Sequence, residues 1–220
     1  SLNAGSLWGR PFYILREAWN ILNAIAEGKI ESGDEKKLNA LKGETMAVIA
    51  LCQFDLTRCF GYPYTKDNGA SLGAPLIDHL VGTYENPSRS TVAQAYDFII
   101  ETLEEAVTLM SEEKNNGRMN KYAARALLAR VYLYHNDNRK AFDMAEQLIK
   151  DVDASGSYAL YPHEKYVAAW SVETKFGSES FFEIANSVDD TPGRDSWGYL
   201  LNWYGYQKGF VTQKYAEQML

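Results

Sequence analysis

The chain has 220 residues, enough for one large domain or two small ones with a sizeable buried core. Hydrophobic residues make up 46% of it and charged residues 23%, a globular composition that argues against disorder. The net charge of −7, without any basic run, disfavours nucleic acid, because a phosphate backbone is bound by clustered Lys and Arg. There is no signal-peptide pattern and no apolar run of transmembrane length. The start without methionine and the abrupt end at Leu220 predict a truncated piece of a longer protein.

Helical periodicity dominates the first two thirds of the chain. Apolar stripes with a 3.6-residue period predict helices over 8–27, 36–60, about 90–110, about 119–135 and about 138–151. The second helix is apolar on nearly all sides, which predicts that it is buried between neighbours. Ser90 or Thr91 is expected to cap the third helix, and the Gly- and Pro-rich stretch between 61 and 88 is expected to be a loop.

Two cysteines and two tryptophans fall on the first two predicted helices. Cys52 and Cys59 are roughly 10 Å apart along the helix axis, too far for a disulfide. Both are therefore expected to be buried as small hydrophobic residues. Trp8 and Trp19 are expected to lie in the core.

The fourth and fifth helices carry the spacing of a tetratricopeptide (TPR) repeat. Leu128, Ala129 and Tyr132 in the first of them, followed by Ala141 and Ala145 in the second, match the intervals of that pattern. Small residues let two helices approach closely, and the short hinge between them predicts an antiparallel hairpin. One such repeat cannot bury its own face, so stacked neighbours are expected.

The character of the sequence changes after residue 152. The segment 158–162 has an extended composition, 180–184 is predicted to be a short strand, and 185–209 is predicted to form long ordered loops. The predicted fold is mainly α, with TPR-like antiparallel helix pairs, long loops and a few short strands. The expected organisation is a TPR-like helical scaffold over 1–152 and a loop-rich segment over 153–220 that belongs to the same domain.

Catalysis has no positive support in the sequence. The histidines His79, His135 and His163 are far apart and lack metal-ligand spacing, and no nucleophile, zinc or phosphate-binding motif occurs. Acidic pairs such as Glu104-Glu105 and Asp189-Asp190 could hold a glycosidase pair, but a solvated charged surface explains them better. No enzymatic activity, cofactor or metal is therefore expected.

The best candidate for a binding site is an aromatic cluster near the C-terminal end. Its rings are Trp197, Tyr199, Trp203, Tyr204 and Tyr206. Polar partners are supplied by Asn202, Arg194, Asp195, Asp189 and Asp190. Flat rings cover the apolar C–H patches of a sugar, and carboxylate and amide groups bind its hydroxyls, so the cluster predicts sugar recognition. The alternative is that these rings pack the loop onto the helices.

A weaker ligand-binding candidate is Tyr64, which follows Pro63 after the end of the second helix, close to Tyr62. A structural lid over that helix end is the alternative for both tyrosines. Trp170 is expected to pack inward.

An ordered set of motifs resembles a known family. The motifs are Gly43-Glu44, Phe60-Gly61-Tyr62-Pro63-Tyr64, Pro75-Leu76, Arg89-Ser90-Thr91-Val92 with Tyr96, 99–100, 103–106, 117–121, 123–124, 127–134, and Glu179 before 181–184. Together they cover about residues 8–185 and resemble the SusD/RagB family, the surface glycan-capture lipoproteins of Bacteroidetes. One departure is Ile49, where the family usually carries Arg, and it predicts packing in place of a buried polar contact.

The resemblance implies a non-enzymatic, surface-exposed lipoprotein of the outer membrane. Such proteins capture oligosaccharides and deliver them to a SusC-like TonB-dependent transporter, and an N-terminal lipid anchor that this chain lacks would attach them to the membrane. The sugar-contacting residues of the family vary between members and follow no fixed motif, so the resemblance assigns none of them to a position in this chain. The aromatic site therefore depends on composition alone. The alternatives are a TPR-type scaffold for protein–protein interaction and, third, a carbohydrate-active enzyme.

Overall fold

Helices dominate the structure, a computed structural model that describes residues 4–170 and 175–184. The helices of these residues are α1 Ala4–Ala26, α2 Glu35–Phe60, α3 Val92–Leu109, α4 Lys121–Tyr134 and α5 Asn138–Ser155. Two short strands, β1 Leu72–Pro75 and β2 Arg89–Thr91, and single 3₁₀ turns complete the described elements, which lie within one compact unit, Ser1–Glu183. The prediction of a mainly α fold is confirmed. Within the described ranges, no helix has both the length and the apolar character needed to cross a membrane.

The helices pack in chain order. Helix α2 contacts α1 and α3, and α4 contacts α3 and α5. Because only three residues separate α4 from α5, these two helices form the predicted antiparallel hairpin. Tyr132 and Ala141 are buried at their interface and Ala145 is half-buried, as the TPR spacing predicts.

Helix α2 is the centre of the core. Phe54 is fully buried in a cluster with residues of α3 and α4, whereas Ile49 and Leu56 are buried in a second cluster with residues of α1. Burial on both sides explains why the helix has almost no polar face. Ile49 is fully buried, as expected for packing at this position.

A glycine sets the closest approach between α2 and α3. A Cβ atom at Gly43 would lie 2.7 Å from Cγ of Met110 and 2.9 Å from the backbone oxygen of Ala106. No side chain fits at that distance without a shift, so Gly43 allows the two helices to touch.

Polar side chains begin four of the helices. The oxygens of Asp34, Asn120 and Asp137 accept backbone N–H bonds at the starts of α2, α4 and α5. Thr91 caps α3 in a reciprocal capping box with Gln94, which confirms one of the two residues expected there. These caps satisfy N–H groups that have no partner inside the helix.

A small antiparallel hairpin lies between α2 and α3, with β1 inside the stretch predicted to be a loop and β2 directly after it, at the predicted start of the third helix. In it Leu72 lies opposite Thr91 and Pro75 opposite Arg89, with an irregularity between the two pairs. The Arg89 side chain crosses to the other strand, where its Nε donates to the oxygen of Gly73 and its Nη2 to that of Leu72, both at 2.7 Å. Strands of three and four residues are too short for alternation to show in the sequence.

The prediction of a strand at 180–184 is wrong, because these residues have irregular structure. Phe181 packs its ring against Tyr158 instead, with centroids 4.9 Å apart, and Tyr158 in turn packs against Tyr122 of α4. A run of apolar residues serves such packing as well as it serves a strand, and periodicity alone does not separate the two.

Two expectations of burial are also corrected. Cys52 is buried, but Cys59, in the last turn of α2, is exposed. Trp8 is 38% exposed and contacts Phe12 and Phe60 edge-on, at the margin of the core. Trp19 is half-buried, and its indole N–H donates to the oxygen of Ile77 at 3.1 Å.

Candidate functional site

The predicted sugar-binding cluster falls wholly outside the described residues. This applies to Arg194, Asp195, Trp197, Tyr199, Asn202, Trp203, Tyr204 and Tyr206, together with Asp189 and Asp190. For these positions the site stays a prediction. The position of the Trp170 side chain likewise lies outside the described part.

Tyr64 is described, and its ring is held by protein contacts. Its centroid lies 4.3 Å from the imidazole of His135 and 5.7 Å from the ring of Tyr96, which it meets edge-on. A Cβ at Gly69 would lie 2.8 Å from Cε2 of Tyr64, so the ring also rests against this glycine, whose φ of +76° favours Gly. Tyr64 thus connects the loop after α2 to the end of α4 and leaves part of its ring accessible.

Cations lie over aromatic rings at the C-terminal ends of α2 and α4 and in the loop that carries Tyr64; of these rings Tyr62 and Tyr134 are exposed and Phe54 is buried. The Arg58 guanidinium lies 4.8 Å from the ring centroid of Phe54 and 5.3 Å from that of Tyr134, and it pairs with Asp55 at 2.5 Å. The Lys66 ammonium lies 3.0 Å from the ring centroid of Tyr62. These cation–π contacts order the rings at this end of the bundle.

The loop between β1 and β2 carries a second group of polar and aromatic side chains, which the sequence analysis did not single out. His79 lies between two carboxylates, with Nδ1 2.6 Å from Asp78 and Nε2 2.7 Å from Glu85. These two hydrogen bonds raise the pKa of His79. Tyr84, one residue before Glu85, is 95% exposed. Contacts six residues apart in a loop leave no periodic signal in a sequence, which is why they were missed.

A groove of about 340 Å³ lies between α4 and α5. It is lined by Arg125, Tyr132, Lys140, Asp143, Met144 and Gln147. The Tyr132 hydroxyl donates to Glu104 of α3 at 2.5 Å, and Arg125 pairs with Asp151 at 2.6 Å. Burial and the Glu104 carboxylate raise the pKa of Tyr132. The groove is at the small end of the range for ligand pockets.

The described acidic residues are engaged in ordinary surface contacts. Of the pair considered for catalysis, Glu104 accepts the Tyr132 hydroxyl and Glu105 forms an ion pair with Lys42 at 3.1 Å. Among the described residues no group of His, Cys, Asp and Glu is arranged to hold a metal ion. His79, His135 and His163 do not form a cluster there.

The residues that carry the family resemblance come together at helix seams. Arg118 donates its Nε to Glu44 at 2.9 Å, and the backbone N–H of Met119 donates to the other oxygen of the same carboxylate at 3.0 Å. The Glu44 carboxylate raises the pKa of Arg118. Asn120, the cap of α4, donates through its amide nitrogen to the hydroxyl of Tyr158 at 2.7 Å. These motifs therefore hold the scaffold together.

Comparisons with known proteins agree with this scaffold. The family model described as starch-binding proteins associating with the outer membrane, a SusD-like model, matches residues 3–133, more than half of the chain. A crystal structure of a SusD superfamily protein from Bacteroides vulgatus is 96% identical with a TM-score of 0.95, over 100% of this chain and 49% of its own. One from Bacteroides thetaiotaomicron is 33% identical with a TM-score of 0.85, over 96% of this chain and 47% of its own.

More distant structures share the fold alone. A laminarin-binding SusD-like protein is 24% identical with a TM-score of 0.62, over 88% of this chain and 40% of its own. A search among curated proteins finds no match.

This chain belongs to the SusD-like family, and the resemblance drawn from its motifs is confirmed. It spans about half the length of the solved relatives that it matches.

Proposed function

We propose that the protein to which this chain belongs binds oligosaccharide nutrients at the cell surface without cleaving them. The observation that carries the proposal is membership of the SusD-like family, whose matching model is described as starch-binding and associated with the outer membrane. A distant relative with the same fold is named for binding laminarin. The mainly helical scaffold supports this function because binding residues usually lie on loops that a rigid scaffold positions.

The proposal extends to location and partner. The protein is held at the outer membrane as a surface-exposed lipoprotein through an N-terminal lipid anchor, and it delivers its ligand to a SusC-like TonB-dependent transporter. These statements come from the family resemblance and are tested separately from sugar binding. Co-purification of a tagged full-length protein with the transporter from outer membranes would support them. Recovery of the protein in the soluble fraction alone would contradict them.

The proposed ligand-binding residues are those of the C-terminal aromatic cluster, with Trp197 and Trp203 as its largest rings, and more weakly Tyr64. Trp and Tyr combine a flat apolar face with a polar atom, which suits a half-exposed site better than a core. The contacts of Tyr64 with His135 and Gly69 give it a fixed orientation, so that its accessible part is presented without a change of rotamer.

Affinity electrophoresis of the full-length protein tests sugar binding. Native gels containing soluble starch, laminarin or another neutral polysaccharide should retard the wild-type protein. The double substitution Trp197→Ala, Trp203→Ala should abolish retardation without changing the far-UV circular dichroism. Tyr13→Ala is the matched control, because Tyr13 is an exposed ring on α1 and its loss should leave retardation unchanged. Retardation of the double variant equal to wild type would contradict the assignment of these rings.

The alternative function is a TPR-type scaffold that binds a protein segment. The groove between α4 and α5 favours it, because charged side chains and Met144 line a depression along the helix hairpin. Met144→Arg would fill this groove. Loss of transporter co-purification by that variant, with sugar binding retained, would support protein binding there.

A further inference from the structure

The loop between β1 and β2 is fixed at its base to two helices. The side chain of Gln53, fully buried in α2, donates to the oxygen of Pro75 at 3.1 Å and accepts from the N–H of Ile77 at 3.3 Å. The indole N–H of Trp19 in α1 donates to the oxygen of Ile77. Ile77 itself is buried in the cluster shared by α1 and α2. The segment that follows therefore leaves the scaffold from a defined position.

The tip of the loop is braced by its own side chains. Glu85 accepts the backbone N–H of Gly82 at 3.1 Å with one carboxylate oxygen and contacts His79 with the other. The backbone N–H of Glu85 donates in return to the oxygen of Gly82 at 3.1 Å. His79 also contacts Asp78, its neighbour in the chain, while its contact with Glu85 six residues on closes the loop. The order of this tip does not depend on burial, because Asp78, His79 and Glu85 are all about half exposed.

Tyr84 projects from this braced tip without a packing partner. Its exposure of 95% is the largest among the large apolar and aromatic side chains of the described residues. No other described ring packs against it. The backbone that carries Tyr84 is already braced, so an external contact made by the ring requires no ordering of the loop and loses only the rotamer freedom of the side chain.

The surroundings of Tyr84 indicate the chemistry of that contact. Thr83 and Asn86, on either side, are exposed and polar, and the carboxylates of Asp78 and Glu85 are within the same loop. A protein-binding hot spot typically lies in a well-packed, water-excluding setting, which this loop of half-exposed side chains does not offer. A flat ring beside hydrogen-bonding groups fits a sugar, and two carboxylates beside one imidazole disfavour an anionic one.

We propose that the loop formed by residues 78–86 is a sugar-contacting element in addition to the C-terminal cluster, with Tyr84 stacking on a neutral oligosaccharide. The inference depends on the proposed sugar-binding function and specifies the ligand as uncharged. His79 is a positioning residue, since its contact with Glu85 closes the loop and helps to hold the backbone that carries Tyr84.

The test uses the full-length protein in native gels with soluble starch, laminarin or polygalacturonate. Wild type should be retarded by at least one neutral polysaccharide and not by polygalacturonate. Tyr84→Ala should weaken binding roughly three- to tenfold, the range that ring contacts usually contribute. Tyr84→Phe should bind as wild type does, because it keeps the ring, and so should the exposed-ring control Tyr13→Ala. All variants should keep the wild-type melting temperature, because neither exposed ring is part of the core.

The outcomes separate this inference from the proposed function. Retardation of Tyr84→Ala equal to wild type, while Trp197→Ala, Trp203→Ala is no longer retarded, would overturn the role of the loop and leave sugar binding intact. Absence of retardation of wild type by every polysaccharide would overturn both. Loss of transporter co-purification by Tyr84→Ala with unchanged sugar binding would assign the ring to a protein partner, and would also overturn the inference.

Discussion

The side-chain amide of Asn120 donates a 2.7 Å hydrogen bond to the hydroxyl of Tyr158, and both residues are buried. Asn120 also caps α4, where its oxygen accepts the N–H of Ala123 at 3.0 Å. The side chain of Asn120 therefore caps the start of α4 and also binds the segment that follows α5 to this helix. The Lys114 ammonium reinforces this junction, since it donates to the oxygen of Gly177 at 2.8 Å.

Asn120→Ala is expected to lower the free energy of unfolding by about 2 kcal/mol, from the lost cap and from a buried hydroxyl left without its partner. Asn120→Asp keeps the capping oxygen and loses the amide donor, so it should be less destabilising than Asn120→Ala. Urea unfolding followed by circular dichroism measures both. A change below about 0.5 kcal/mol for Asn120→Ala would contradict the double role.

Gly43→Ala is expected to destabilise the protein by about 1–2 kcal/mol, because overpacking against Met110 and the Ala106 backbone outweighs the higher helix propensity of Ala. Gly9 is the matched control, since it also lies within a helix but a Cβ there would meet nothing within 4 Å. Gly9→Ala should therefore stabilise by up to about 1 kcal/mol. Thermal unfolding of both variants tests the pair, and equal shifts in the same direction would contradict the close contact at Gly43.

The brace around His79 should depend on pH in a defined way. Hydrogen bonds to Asp78 and Glu85 raise the pKa of His79 above its ordinary 6.5, so its contribution is complete below that value and is lost as the pH rises through the raised pKa. The Gly82 N–H and His79 lower the pKa of Glu85 below 4.5, so its contribution is lost as the pH falls through the lowered pKa. The loop should be most ordered between these limits.

Titration of the His79 ring by NMR measures the first of these limits directly. The pKa of His79 should lie above 6.5 in wild type and should fall toward that value in Glu85→Gln. A pKa of His79 at or below 6.5 in the wild-type protein would show that the two carboxylates do not hold the imidazolium.

The two thiols should differ in reactivity toward an aromatic disulfide reagent. Cys59 is exposed, whereas burial, and secondarily the charge of Asp55, raises the pKa of Cys52 to about 11. At about pH 8 one thiol of the native chain should react rapidly and both should react in urea, because the thiolate is the nucleophile and must be accessible. Cys59→Ser should remove the rapid phase. A rapid phase that persists in this variant would mean that Cys52 is accessible.

Much of the scaffold could be predicted from the sequence because its determinants are local. The apolar stripes predicted the helices, Ser90 or Thr91 was expected as the cap of α3, and the short hinge with the repeat spacing of Tyr132 and Ala141 predicted the hairpin. These signals lie within three or four residues of each other, or at the fixed spacing of a repeat.

The errors have a common physical origin in long-range contacts. The hairpin depends on Arg89 reaching carbonyls of β1 sixteen and seventeen residues away. The exposure of Cys59 depends on how other elements cover the last turn of α2, and Phe181 packs on Tyr158 in place of forming a strand. The loop that holds Tyr84 depends on Gln53 and Trp19, which no local pattern connects to it. The aromatic cluster at 197–206 remains a prediction from composition.

The bond between Trp19 and Ile77 joins positions 58 residues apart in the chain. This bond connects α1 to the base of the loop that presents Tyr84. Among the described residues, the hydrogen bonds of the loop tip are made within the loop and none reaches α1. A sugar bound at Tyr84 that further restrains the braced loop should therefore slow hydrogen exchange in α1 as well. Hydrogen exchange in α1 would then indicate whether a sugar is bound at the loop, although α1 itself does not contact the sugar.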